Sequence, residues 1–436
     1  MTIDFEKYHL AVDRADLVRV IGKVVQVVGL IIEAQVGGVS VGDLCSIRLE
    51  KENRSAFAEV VGFRENRVLL MPLGSTAGIA PGAQVLAAGK PLLVRVGNDL
   101  LGRVLNGLGQ PVDGKGPIVG ETDYPLDADP PDPVKRPRIT EVLRVGIRAL
   151  DGMLTVGRGQ RIGIFAGSGV GKSTLMGMIA RNAEAQVNVI SLVGERGREV
   201  RDFIEESLGE EGLKKSVVIC ATSDQPPLIR LKAAFVATAI AEFFRNQNKM
   251  VILMMDSVTR FAMAQREIGL AAGEPPTTKG YTPSVFALMP RLMERSGTSV
   301  IGTITAFYTI LVEGDDMNEP IADHSRSILD GHIMLSRDLA ARNHYPAIDV
   351  PHSVSRLMTN LVSNEHKQAA GKLREVLARY TEAEDLINIG AYVKGSNPKI
   401  DFALSKIEQV NAFLKQGTFE SVDYENTVNQ LLGIFS

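Results

Sequence analysis

The stretch Gly167-Ser168-Gly169-Val170-Gly171-Lys172-Ser173-Thr174 constrains this chain more than any other. An apolar run from Arg161 to Phe165 leads into it, and Leu175 to Ala180 follows with the composition of a helix. Strand, glycine loop and helix, in that order, predict a phosphate-binding loop in an α/β sheet. Glycines let the backbone curl until successive N–H groups point into one concavity, and the helix adds its positive N-terminal end. In such a loop the Lys172 ammonium reaches β- and γ-phosphates and the Ser173 hydroxyl ligates Mg2+. Ala166 stands where the pattern usually carries its first glycine; alanine fits there if the residue still has a strand's backbone conformation.

At 436 residues the chain exceeds one ordinary core, so two or three domains are expected. Hydrophobic residues at 45% and charged residues at 23% are those of a soluble globular protein. A net charge of −3 argues against a dedicated nucleic-acid binder, which would be basic. Cys45 and Cys220 lie far apart without partner spacing, which predicts a reducing compartment and no disulfide framework. The six histidines show no metal-ligand spacing. The first residues lack a basic region followed by an apolar one, and the longest apolar run, Val24 to Ile32, is interrupted and too short for a bilayer. A cytoplasmic protein is expected.

The pattern divides the chain into four parts. Residues 1–18 read as a short amphipathic lead, with Phe5, Tyr8 and Val12 at helical spacing, or else as a frayed terminus. Residues 19–90 carry short β-rich runs (Val24–Ile32, Leu44–Leu49, Ala56–Phe63, Arg67–Pro72) broken by turn residues, which suggests a small β-barrel. Residues 91–362 open with a glycine-punctuated stretch, Leu101 to Gly114, and a proline-rich crossing, Asp129 to Pro137, read as a stiff surface strap. Near-continuous Val/Ile/Leu runs follow at Val187–Val193, Val217–Ala221, Val251–Asp256, Val300–Thr305 and Ile333–Leu335, alternating with helical stretches. These are strands buried on both faces in a mainly parallel sheet. Residues 363–436 read as an α-helical domain, with helices over Glu365–Tyr380 and Asp401–Lys415.

Three further stretches could carry chemistry. The run Met250 to Met255 ends on Asp256, which in a phosphate-loop fold sits beside the phosphates and holds the Mg2+ shell; alone, such a residue is more often a turn or helix cap. The strand ending at Val193 gives way to Gly194-Glu195-Arg196-Gly197-Arg198-Glu199. Glu195 lies first past the sheet edge, where a carboxylate can orient and polarise an attacking water, although charge runs are usually solvated turns. Arg356, in Ser353-Val354-Ser355-Arg356-Leu357, is a guanidinium of the kind that offsets charge developing on phosphoryl oxygens. No local feature places Arg356 near the phosphate loop of its own chain, which suggests a role in a neighbouring subunit of a ring.

Together these motifs resemble the catalytic-subunit family of rotary ATPases, and more closely the ATPases of type III secretion, particularly the flagellar export branch. The resemblance covers nearly the whole chain from about Val20. It rests on the loop from Gly167 to Thr174, on Gly194–Val200, on Met255-Asp256-Ser257-Val258-Thr259-Arg260-Phe261-Ala262, on Tyr308 to Asp323, and on Ser327 to Ile333. It implies a RecA-like α/β core between an N-terminal β-barrel and a C-terminal helical domain. It also implies hydrolysis of ATP with Mg2+. Glu195 falls on the family's catalytic glutamate and Arg196 on the arginine beside it, Arg356 on the arginine given to a neighbouring subunit, and Arg260 on a basic residue near the phosphates. Tyr345, before Pro346, matches the aromatic that stacks on adenine; otherwise it reads as a core tyrosine at a proline turn.

The same resemblance implies a homohexamer at the inner face of the cytoplasmic membrane, moving chaperone-bound substrates to an export gate. A central stalk protein would face the helical domain, and a stator-like regulatory subunit would bind the short lead. An injectisome ATPase, a rotary synthase subunit, an RNA-driven translocase and a non-catalytic scaffold subunit are the alternatives. The net charge and the absence of an aromatic-rich basic stretch in residues 18–90 count against RNA, and Glu195 counts against the scaffold.

Overall fold

In the computed structural model, residues 20–49, 54–312, 314 and 316–436 are described, so the expected lead over residues 1–18 lies outside them. The chain divides into two units, one formed by residues up to Leu92 with Glu267–Glu274, the other by Leu93–Arg266 with Pro275–Ser436.

In the first unit, alternation of apolar and polar residues turns one face of each short strand inward. Strands β1 (Ile21–Val28), β2 (Ile31–Gln35), β3 (Asp43–Leu49), β4 (Arg54–Arg64), β5 (Arg67–Pro72) and β6 (Gln84–Pro91) close into an antiparallel barrel in the order β1-β2-β5-β4-β3-β6. Its core includes Val24, Ile32, Ala34, Ile47, Val60, Leu70 and Val85. The run Val24–Ile32, expected as a single strand, is a tight hairpin in which Val28 pairs with Ile31. Gly29 makes that turn with φ 58°, a left-handed conformation that glycine adopts without steric cost. The buried carboxylate of Glu33, on β2, is held by Arg67 at 2.6 Å and Arg64 at 3.4 Å.

The second unit is built on a mainly parallel sheet. Its strands are β7 (Arg103–Asn106), β8 (Arg161–Ala166), β9 (Val187–Val193), β10 (Ser216–Ala221), β11 (Met250–Asp256), β12 (Thr303–Leu311) and β13 (Gly331–Leu335), in the spatial order β13-β8-β12-β11-β9-β10-β7. A two-residue strand, β14 (Val354–Ser355), pairs antiparallel with β13 at the edge. The apolar runs are buried on both faces as expected, β9 without exception. β12 begins later and runs longer than the expected Val300–Thr305, because Val300 and Ile301 are exposed and Gly302 turns with φ 69°.

Helix α1 (Lys172–Asn182) follows β8 through the glycine loop. Gly171 caps it with φ 90°, and Gly177 inside it allows an approach so close that a Cβ would lie 2.5 Å from the Ser207 carbonyl oxygen. Helix α2 (Pro227–Asn246), with proline in its first turn, covers the sheet. The proline-rich crossing lies on the surface, with Val134 90% exposed. Arg136 pins it by donating to the carbonyl of Ser296 at 2.9 Å and to that of Glu294.

Residues 364–434 form α3 (Asn364–Asn388), α4 (Pro398–Leu414) and α5 (Tyr424–Ile434), capped by Ser363, Asn397 and Asp423. α3 extends the expected helix at both ends, α4 begins earlier than expected and ends at Leu414, and α5 was not expected. These helices share one continuous core with the sheet, from Leu143 and Ile162 to Leu373, Phe413 and Leu431. Buried His366 adds a polar tie, its Nε2 lying 2.7 Å from the Gly152 carbonyl oxygen. Among the described residues, no helix is long and apolar enough to cross a membrane.

Candidate active site

Parallel strands expose their C-terminal ends along one edge of the sheet, and there β8, β9 and β11 deliver three of the residues singled out by sequence. The loop after β8 turns at Gly169 and Gly171, with φ 79° and 90°. Apart from its chain neighbours, no atom lies within 4 Å of where a Gly169 Cβ would stand, so the loop is open on that side. Ala166 is still within β8, the condition under which it can replace the pattern's first glycine. Lys172, the first residue of α1, reaches across the edge to Asp256 Oδ1 at 2.5 Å and Glu195 Oε1 at 3.3 Å.

Asp256 ends β11 and is almost wholly buried, its Oδ1 also accepting from the Thr309 hydroxyl at 2.8 Å. Glu195 follows the end of β9, where its backbone carbonyl accepts from Ser223 N at 3.0 Å. Burial, reinforced by the Asp256 charge and opposed by Lys172, pushes the Glu195 carboxyl up to about 7. A hydrogen bond shared with Glu199 raises it further and lowers Glu199. Burial works against the Lys172 ammonium, but the two carboxylates outweigh it and hold its pKa above the ordinary value. One cation thus serves two carboxylates, one of which is poised between protonation states near neutral pH.

The remaining predicted residues fall into three groups. Tyr345 stands by the loop, its ring edge 3.6 Å from where a Gly171 Cβ would be, and it is 42% exposed. Its carbonyl accepts from the backbone of Gln416 at 2.9 Å, a residue of the segment joining α4 to α5. The Gln416 side chain is itself locked, donating to the carbonyls of Gly146 and Glu420 at 2.8 Å and accepting from Arg148 N at 2.8 Å. Arg260 lies beside Glu195's loop: its stem packs over Gly194, where a Cβ would come within 2.9 Å of Arg260 Cβ, and its Nε is buried without a partner.

Arg196 and Arg356 do not join this group. The Arg196 side chain is 83% exposed and turns to Glu199 at 3.7 Å. Arg356 follows β14 at the opposite end of the strands, its backbone N–H donating to the Asp330 carbonyl just before β13 and its guanidinium to the Arg326 carbonyl, both at 3.1 Å. Ser173 and Thr174 are exposed at the start of α1.

Sequence reading missed Thr309, Glu199, Arg337 and Gln416. Thr309 had a signal, a hydroxyl in the otherwise apolar run Phe307 to Leu311 of a central strand. Arg337 has its guanidinium against the loop, 2.6 Å from where a Gly167 Cβ would stand, and nothing in its local sequence marks it. Among the described residues, no group of three or more His, Cys, Asp or Glu side chains is arranged to hold a metal unaided. One hydroxyl, Ser173, and one carboxylate, Asp256, suit a cation such as Mg2+, which takes few protein ligands and completes its shell with phosphates and water.

This architecture and edge geometry define a nucleotide-hydrolysing P-loop ATPase with a barrel before it and helices after it. Family models match along the chain: the nucleotide-binding domain of the ATP synthase alpha/beta family over residues 146–355, that family's beta-barrel domain over 24–89, and the T3SS EscN ATPase C-terminal domain over 362–433. The chain is 57% identical to a flagellum-specific ATP synthase of Bacillus subtilis over 424 residues, covering 97% of each. It is 52% identical to a type 3 secretion system ATPase of Xanthomonas euvesicatoria over 433 residues, covering 99% of this chain and 97% of the relative. It also superposes on the assembled ATPase EscN in complex with its central stalk EscO, from the type III secretion system of enteropathogenic E. coli, with TM-score 0.88 and 44% identity. That match covers 95% of this chain and all of the other. The chain belongs to the ATP synthase alpha/beta family, among the ATPases of type III secretion. Its activity is ATP hydrolysis that drives type III protein export.

Proposed function

We propose that the chain acts as a Mg2+-dependent homohexamer in the flagellar branch of type III export, each active site being assembled from two subunits. The observation that carries this is the split of the predicted residues. Lys172, Glu195 and Asp256 meet at one end of the sheet, while Arg356 lies at the other.

The loop amides from Gly167, Ser168, Gly169, Val170 and Gly171 to Thr174 would cradle the phosphates, with Lys172 on the β- and γ-phosphates. Tyr345 would stack on the base. Ser173 and Asp256 would hold Mg2+, which neutralises charge on the bridged phosphates when bound. Glu195, deprotonated, would orient the attacking water and take its proton, with the neighbour's Arg356 facing the transferred phosphoryl group. Arg260 would stand near the phosphates, and Arg196, exposed at the rim, would act beside Glu195. Lys172 would exchange its carboxylate partners for phosphate oxygens as ATP enters.

The likeness to EscN with its stalk EscO supports a central stalk protein as a partner. A stator-like regulatory subunit, an export gate and chaperone-bound substrates, which the enzyme releases and unfolds at the inner face of the cytoplasmic membrane, complete the proposed setting; nucleic acid has no part in it. The higher identity to a flagellum-specific relative favours the flagellar branch over an injectisome.

Two experiments test this. Purified Glu195→Gln and Arg356→Ala proteins should each lose at least about 100-fold in ATP hydrolysis, and wild-type rates in both would overturn the site. Deleting the gene should abolish flagella and motility; intact motility with lost secretion into host cells would assign the injectisome.

A further inference from the structure

Gln160 is the residue immediately before β8, at the end of that strand opposite the glycine loop, and it is wholly buried. Its amide is fully engaged. Oε1 accepts from Gly157 N at 2.8 Å, and Nε2 donates to the Asp330 carbonyl at 3.0 Å and to Ser355 Oγ at 3.2 Å. Ser355 Oγ donates onward to the Thr155 carbonyl at 2.8 Å. The Asp330 carbonyl that receives Gln160 also receives the backbone N–H of Arg356. The Asp330 carboxylate is gripped by Arg161, the first residue of β8, through its backbone N and Nε at 3.1 Å and its Nη2 at 3.3 Å. Strand β14 itself lies so close to β13 that a Cβ on Gly331 would stand 2.5 Å from the Val354 carbonyl oxygen.

The backbone that presents Arg356 is therefore seated on Gln160, Ser355 and Asp330, and both Gln160 and Arg161, which grips Asp330, stand at the start of the strand that carries the phosphate loop. A buried amide costs free energy unless every polar atom is paired, so this glutamine specifies one position for what it holds. Catalytic geometry is steep in distance: a misplacement of about 1 Å costs about 100-fold in rate.

We infer that Gln160 is a positioning residue for Arg356, fixing the arginine that one subunit offers its neighbour to the strand that carries its own phosphate loop. This rests on the reading of Arg356 as a residue acting in the adjacent site.

Mixed rings test it. Glu195→Gln subunits lack a working hydrolytic half but keep Arg356; Arg356→Ala subunits are the reverse. Co-assembled in equal amounts, they should recover roughly a quarter of wild-type hydrolysis by random pairing around a head-to-tail ring. No recovery there would overturn the reading of Arg356 itself. With that control positive, Gln160→Met should lower kcat about 10- to 100-fold and leave KM for ATP within about twofold. Gln160→Met should be rescued by Glu195→Gln subunits, which supply a well-placed arginine, and not by Arg356→Ala subunits. Rescue by Arg356→Ala instead would locate the defect in the phosphate-loop half and overturn the inference. Ser355→Ala, which removes the hydroxyl that Gln160 reaches without opening the core, should follow the same pattern, and Ser355→Thr should work like wild type. Wild-type hydrolysis by Ser355→Ala, or its rescue by Arg356→Ala subunits, would overturn the inference whatever Gln160→Met does.

Discussion

The two ends of the central sheet both carry buried charge, and they use it in opposite ways. At the N-terminal ends of the strands, Arg295 is wholly buried against Glu242 with two hydrogen bonds of 2.9 and 2.6 Å, and its third nitrogen, Nη1, donates to the Leu126 carbonyl. Arg161 is shared between Asp330 and Glu294. Both of these cations are matched by carboxylates. At the C-terminal ends, one lysine faces two carboxylates and Glu195 is held near 7. Matched charges fix a structure; an unmatched set with a perturbed carboxyl is the mark of a site that handles charged groups.

Perturbing each end should separate the two uses. Glu195→Gln should cost about 10²–10⁴-fold in kcat with an unchanged melting temperature; a loss under threefold would erase the distinction. At the other end, Glu242→Ala leaves Arg295 buried and unpaired, so folding stability should fall by about 3–5 kcal/mol, read as a lower melting temperature. The double change Glu242→Leu with Arg295→Met should recover most of that loss. Tyr345→Ala should raise KM for ATP by about tenfold, in line with about 1–3 kcal/mol per stacked base, and Tyr345→Phe should leave it unchanged.

The smallest effect is on pH. A carboxyl raised to about 7 is protonated below that pH, so kcat/KM should fall as pH drops through about 7. Glu199→Ala removes a hydrogen bond that raises Glu195, so it should move this limb toward lower pH.

Much of this was readable from the chain. The phosphate loop, Asp256 and Glu195 were found because strand ends in a parallel sheet project to one edge, so motifs separated in sequence converge there. The barrel followed from strand spacing, but its first hairpin did not, since a two-residue turn at Gly29-Leu30 hardly interrupts an apolar run. Arg337 reaches the loop from the first residue of a short helix after β13 that carries no motif, and spacing cannot reveal such a contact. Gln160 was invisible for the same reason: its partners, Asp330 and Ser355, lie 170 and 195 residues away.

The hold of Gln416 on the Tyr345 carbonyl has a thermodynamic consequence. Gln416, in the segment between α4 and α5, donates to the Tyr345 carbonyl, so a movement of that segment would be passed to the expected base platform. Any partner that binds the helices and shifts that segment changes ATP affinity by some factor, and ATP must change the partner's affinity by the same factor. A stalk or substrate docked on α3 to α5 would then act as an allosteric effector of ATP binding without touching the nucleotide.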